Sequence, residues 1–297
     1  MEPLSLLLST ILLRPYVFVF FLAYFFGCSL HLGIKRAALF IVVGYIIAWL
    51  SEYSSIHNGI PYGYYYYIEQ TRGRELWVLG IPFMDSMSYV FLAYASYAMA
   101  LAVTSPILSR GPLYLLETKM LRKSLSTRIL GAVFFLYLDI IIDPLALRGK
   151  EWFLGQIYGY PQKGAYFGVP ISNFAGWLIV GFLMIYALQL IDAYLDSSRI
   201  RDYAGYRYPW RYLIGPGLYL GVLAFNLCMA FAIRDHHLAW TGVFIVTLPL
   251  FLLSSMLKQK RTLPDEDDAL RTHLADFPLA AIPEGRPGNS LIKGSGW

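Results

Sequence analysis

Charge is scarce in this chain. Asp, Glu, Lys and Arg make up 14% of its 297 residues, against about 25% in an ordinary soluble domain, which excludes a freely soluble globular protein. Cysteine is nearly missing. Cys28 and Cys228 lie in apolar runs without C-x-x-C or Cys/His spacing, so neither a disulfide framework nor a zinc site is supported. The sequence contains no G-x-G-x-x-G after a strand and no Walker A loop, so nucleotide and flavin cofactors have no binding motif. The five histidines (His31, His57, His236, His237 and His273) form none of the repeated boxes of membrane di-iron oxygenases. A G-x-S-x-G hydrolase elbow is also lacking. The N-terminal MEPLSLLLSTILLRP has no basic region ahead of its apolar stretch, so the first apolar run is expected to be retained rather than cleaved.

What is present is apolar surface. The chain is 57% apolar and 17% aromatic, with a mean hydropathy of +0.52. Several runs approach the roughly 20 residues a helix needs to cross the hydrocarbon core. The expected fold is all-α, a polytopic membrane helix bundle of about seven transmembrane helices at 13–33, 37–52, 81–103, 128–147, 172–192, 211–232 and 237–257. The second run is short, and the connector 104–127 is amphipathic enough to lie along the interface, which leaves counts of six or eight open. Residues 1–257 form one membrane domain in this reading. Beyond Leu257 the chain turns charged and then Pro/Gly-containing, and 258–297 is expected to be a cytoplasmic, mostly disordered tail.

The net charge of +5 sits between the apolar runs, a pattern that fits lipid headgroups rather than nucleic acid. With seven spans, 14 Lys/Arg fall on one side and 7 on the other. The positive-inside rule then places the N-terminus outside and the C-terminus in the cytoplasm.

Alternation also gathers acids at one leaflet. Glu52 ends the second span, Asp85 begins the third, Asp139 and Asp143 end the fourth, and Asn173 begins the fifth. Positions 139 and 143 share one helix face. An ionised group at a helix centre costs roughly 2.5–3.5 kcal/mol even on the lenient insertion scale, so such acids face a cavity or a partner. Two neighbouring carboxyls do not both ionise easily, which makes one of them a candidate general acid. Plainer roles stand beside this one. Asp143 is placed to cap the turn at Pro144, Asp139 to pair with Arg148, Glu52 to bond interfacial backbone, and Asp85 to face the start of its helix. The run Tyr64 to Tyr67 reads as an interfacial anchor or as part of a cation-stabilising pocket. Asp139-x-x-x-Asp143 matches half of the aspartate machinery of membrane prenyltransferases, but the Asn-Asp-x-x-Asp half is missing, which disfavours diphosphate chemistry.

Three segments, SEYSSIHNGIPYGYYYY (51–67), LDIIIDPLALRGKEWF (138–153) and GAYFGVPISNFAGWLIVG (164–181), resemble the CruF-type carotenoid 1,2-hydratase family of carotenoid biosynthesis membrane proteins. The resemblance spans roughly 40–190. It rests on an Asp-Pro helix end, a following Trp and the pattern Tyr-Phe-Gly-Val-Pro-x-x-Asn-Phe-x-Gly-Trp. It implies addition of water to the terminal double bond of an acyclic carotenoid end group, without a cofactor or a metal. Its partners are a lipophilic carotenoid, water and membrane lipid; association with other carotenoid-pathway enzymes is left open. Catalytic roles are expected for Asp143, alone or sharing a proton with Asp139, for Glu52 as partner or base, and for Asn173 as water-orienting group. Tyr166, Phe167, Trp177, Trp152, Tyr65 and Asp85 are expected to contact substrate; MDSMSY around Asp85 departs from the family pattern, so Asp85 is carried outside the catalytic set. Two other readings stay in play. A proton-coupled transporter would spread its acids through the membrane and show an internal repeat. A cyclase or isomerase would share the protonation step but close a dry pocket around the cation.

Overall fold

The computed structural model describes residues 3–108, 113–153, 155–198, 204–260 and 266–282. Its helices are α1 (Pro3–Leu13), α2 (Pro15–His31), α3 (Ile34–Asn58), α4 (Phe83–Thr104), α5 (Lys119–Lys123), α6 (Leu125–Ala146), α7 (Ile171–Ser197), α8 (Arg211–Ala232), α9 (His236–Lys260) and α10 (Glu266–Asp276). Six of them (α3, α4, α6, α7, α8 and α9) are long and apolar enough to cross a membrane, and α1 with α2 makes a seventh if that bent pair is one span. The all-α polytopic bundle expected from composition is the fold observed.

The chain bends by 98° between α1 and α2, at Arg14-Pro15, where proline opens α2 and supplies no backbone N–H. α1 turns Leu4, Leu8 and Leu12 outward and fixes its other face to the α3–α4 loop. Thr10 Oγ1 accepts the Leu76 N–H at 2.7 Å, and buried Arg14 pairs with buried Glu75 at 3.3 Å. The second span, short in sequence, is a 25-residue helix in fact. Polar Ser51, Glu52, Ser54 and Ser55 continue it to Gly59, whose left-handed φ of 76° ends the helix with its N–H on the Ser55 carbonyl.

α4 lies at the centre and packs on α2, α3, α6, α7 and α8. In lipid an apolar side chain gains nothing by hiding from apolar tails, so helices associate through close approach and polar contacts. The segment VFLAYASYAMALA supplies the small residues for this. Gly215 of α8 sits so near Ala98 that a Cβ there would come within 2.2 Å of the alanine methyl.

Of the connector 104–127, residues 105–108 and 113–118 are largely extended and lead into the short helix α5. The extended part bridges Ile107 to Leu115 and buries Tyr114, Leu115 and Leu116 against the end of α8 and against α10. The expected tail also differs over 266–282. α10 docks with His273 fully buried, its Nδ1 2.6 Å from the Glu117 carbonyl and its Nε2 3.1 Å from the Tyr114 hydroxyl. Asp276 accepts the Lys119 N–H, and Phe277 lies beneath Arg122. A few apolar and ring residues in a polar segment suffice because the bundle end offers a preformed surface.

At the opposite end, β1 (Tyr66–Tyr67) pairs antiparallel with β4 (Tyr158–Gly159), Tyr67 facing Tyr158, and so clamps the α3–α4 loop to the α6–α7 loop. A hairpin of β2 (Trp77–Val78) and β3 (Ile81–Pro82) leads into α4.

Candidate active site

Four helix ends and these two clamped loops meet around a polar pocket of about 40 Å³. Alternation in β1 sends Tyr64 and Tyr66 to the outside, at 60% and 51% exposure, and turns Tyr65 and Tyr67 inward. Period two also turns Tyr158 and Tyr160 inward from β4. Two of the four tyrosines of the run thus line the pocket and two face outward. Gly176 of α7 admits the α3–α4 loop: a Cβ there would meet the Tyr62 ring at 2.5 Å and the Pro61 carbonyl at 2.8 Å.

Asp143 is buried and accepts three hydrogen bonds, from the Tyr158 hydroxyl to Oδ1 at 2.7 Å and from Tyr160 (3.0 Å) and Asn173 Nδ2 (2.7 Å) to Oδ2. Burial beside Asp143 pushes both phenols up from their ordinary value, so both remain donors. The second hydrogen of Asn173 Nδ2 goes to Asp139 Oδ2 at 2.8 Å. Asp139 lies behind this pair, fully buried, with Oδ1 unpartnered and neither cavity at its side. Across the pocket, Tyr67 Oη lies 3.0 Å from Glu52 Oε1 and 2.7 Å from Asp85 Oδ2, while Ser86 donates to Glu52 Oε2. Burial together with Asp85 and Glu52 raises the Tyr67 phenol as well.

A second, apolar cavity of about 100 Å³ adjoins the first, walled by Tyr16, Phe20, Trp152, Val222 and Phe225. Asp85, Tyr89, Asp143, Tyr158 and Trp177 line both. Tyr89 stacks on Trp177 with ring centres 4.7 Å apart. By volume the polar pocket takes about two or three waters, beside an apolar slot and with carboxyls at the junction.

The structure thus brings Glu52, Asp85, Asp143, Asn173, Tyr65 and Trp177 to one pocket, with Asp139 behind it and Trp152 on the apolar side. Tyr166 and Phe167, for which substrate contact is expected, line neither cavity. Their hairpin turns at Phe167 (φ 50°) and Gly168 (φ 93°), so that Tyr166 packs on Phe174 and Phe167 rests under Arg148 and against His237. Arg148 pairs with Asp235 and not with Asp139, and Glu52, 1% exposed, bonds side chains rather than interfacial backbone. Tyr62, Tyr89, Tyr158 and Tyr160 were missed in sequence, and Tyr67 was included only as one of its tyrosine run. The available signals were spacing alone: alternation along 65–67 and 158–160, and Tyr89 one helical turn beyond Asp85. Among the described residues no group of three His, Cys, Asp or Glu is arranged to hold a metal ion.

Residues 1–249 match the family described as carotenoid biosynthesis protein, and the chain belongs to that family. Among named relatives, it is 29% identical over 205 residues to a bisanhydrobacterioruberin hydratase of Haloarcula japonica. That match takes in 66% of this chain and 60% of the relative, so the chain spans about three-fifths of the relative's length. No solved structure matches the chain.

Proposed function

We propose that this protein adds water across the terminal C1–C2 double bond of an acyclic carotenoid end, giving a tertiary alcohol at C1. The observation that carries the reading is the shared wall: a small polar pocket and an apolar cavity meet at Asp85, Asp143, Tyr89, Tyr158 and Trp177. The apolar cavity takes the isoprenoid end while the rest of the polyene lies in lipid. A carboxyl at the junction protonates C2, and the π faces of Tyr89 and Trp177 stabilise the tertiary cation at C1. A water from the polar pocket, oriented by the Asp143–Asn173 pair, attacks that carbon. Alkene plus water balances the tertiary alcohol without electron transfer, so the proposed reaction requires no redox cofactor.

The hydratase name of the relative supports the same chemistry. A polar pocket beside Asn173 with room for water favours hydration over cyclisation, because a cyclase must keep water from the cation. The Lys/Arg asymmetry supports an orientation with this end of the bundle at the non-cytoplasmic leaflet and the C-terminus in the cytoplasm.

The test is expression in a bacterium that accumulates lycopene, with pigment masses read before and after. Products heavier by one or two waters are expected. An isomer of unchanged mass moves the assignment to a cyclase or isomerase, and unaltered pigment with acyclic C40 and C50 substrates alike overturns it.

A further inference from the structure

The two carboxyls facing both cavities differ in how many hydrogens reach them. Asp143 receives three, one on Oδ1 and two on Oδ2, all from groups that donate in these contacts. With the amide and both phenols donating, that set of partners fits a carboxylate. Across the pocket the count runs the other way. The Tyr67 hydroxyl lies within hydrogen-bond distance of both Glu52 Oε1 and Asp85 Oδ2, yet a phenol carries a single hydrogen. Each contact is a full hydrogen bond when one of the two carboxyls brings a hydrogen of its own and donates it to the phenolic oxygen. Glu52, already holding the Ser86 hydroxyl on its other oxygen, faces only the polar pocket, whereas Asp85 faces both cavities.

Resting on the hydratase reading above, we infer that Glu52, Tyr67 and Asp85 share one proton that Asp85 delivers to C2, while Asp143 is the base that takes a proton from the attacking water. The π pair of C1=C2 forms the new C2–H bond with the proton of Asp85. The water oxygen bonds C1, and its released proton passes to Asp143. Return of that proton through pocket water to Asp85 closes the cycle, with one water consumed. Glu52 and Tyr67 act on Asp85 and are positioning residues, as is Asp139, which acts on Asp143 through Asn173. The division reverses the donor role expected for Asp143 from its pairing with Asp139 and from the family resemblance.

The roles separate in D2O. The full chain in membranes is supplied with an acyclic carotenoid, and both hydrated product and recovered substrate are analysed for deuterium. A cation formed by deuteron delivery but not captured by water returns a proton to Asp85 and leaves deuterium at C2 of the alkene. Asp143→Asn is expected to lose hydration by about 10²–10⁴-fold while deuterium still accumulates in recovered substrate. Asp85→Asn is expected to lose both. Exchange retained in Asp85→Asn, or lost in Asp143→Asn with the variant present in the membrane at the wild-type level, overturns the division. Should Asp85→Asn fail to accumulate, Tyr67→Phe reads the same relay: hydration and exchange fall together, and unchanged exchange overturns it. A wild-type chain that hydrates no acyclic substrate overturns the hydratase reading itself, a result seen before any variant is compared.

Discussion

Replacing Asn173 with alanine removes one side chain that serves two carboxyls. Asn173 is 3% exposed, and its Nδ2 gives one hydrogen to Asp139 at 2.8 Å and the other to Asp143 at 2.7 Å. Asp143 keeps two phenol donors. Asp139 loses its one amide donor and keeps only the neighbouring Asp143 carboxyl. A hydrogen bond to a charged group contributes about 1.5–3 kcal/mol, and a buried group stripped of its partner costs about 1–3 kcal/mol. The variant is therefore expected to lose about 2–4 kcal/mol, most of it at Asp139. At about 2–4 °C per kcal/mol for a chain of this order of size, the thermal midpoint in detergent falls by roughly 5–15 °C. Asp139→Ala removes the stranded group, so the double variant Asp139→Ala/Asn173→Ala should recover part of the loss, with a coupling of at least about 1 kcal/mol. Additive losses in the double variant, or an unshifted midpoint in Asn173→Ala, would refute the bridging role.

Other expectations follow from single contacts. Arg14→Leu leaves Glu75 buried without its partner and should cost about 3–5 kcal/mol, with much of that restored in Arg14→Leu/Glu75→Leu, as read by chemical denaturation. Gly176→Ala drives a methyl into the Tyr62 ring and the Pro61 backbone; it should lower hydration activity together with the thermal midpoint, because the displaced loop carries Tyr65 and Tyr67. Burial lowers the His273 imidazole from its ordinary 6.5, against the opposing pull of the Glu117 carbonyl and carboxylate. The docked helix thus holds the neutral ring and the undocked helix binds the proton more readily. Docking is complete above about 6.5 and weakens as pH falls below it. Hydrogen exchange across 266–276 should accelerate on acidification, and His273→Gln should flatten that dependence.

Much of the helical frame was legible because span length and apolar composition are set by bilayer thickness. Even the acid gathering could be read, since alternation of spans alone brings Glu52, Asp85, Asp143 and Asn173 to one end of the bundle. What escaped depends on loops. Tyr67, Tyr158 and Tyr160 reach the pocket through a two-residue strand pair joining segments about ninety positions apart, and nothing local to either segment signals that pairing. The placing of Tyr166 and Phe167 away from both cavities was not legible, because a pattern of residue types does not reveal a turn with positive φ at Phe167 and Gly168. α10 escaped for a related reason. Its own composition is polar, and it is ordered by a surface built from the 105–124 connector and α8.

The central claim is that water oxygen enters the carotenoid. Membranes containing the protein, supplied with an acyclic carotenoid in water enriched in oxygen-18 and kept free of dioxygen, test it directly. The account predicts a tertiary alcohol that is heavier by one labelled water and carries the label at C1. A product without the label, or one that forms only when dioxygen is admitted, would contradict it.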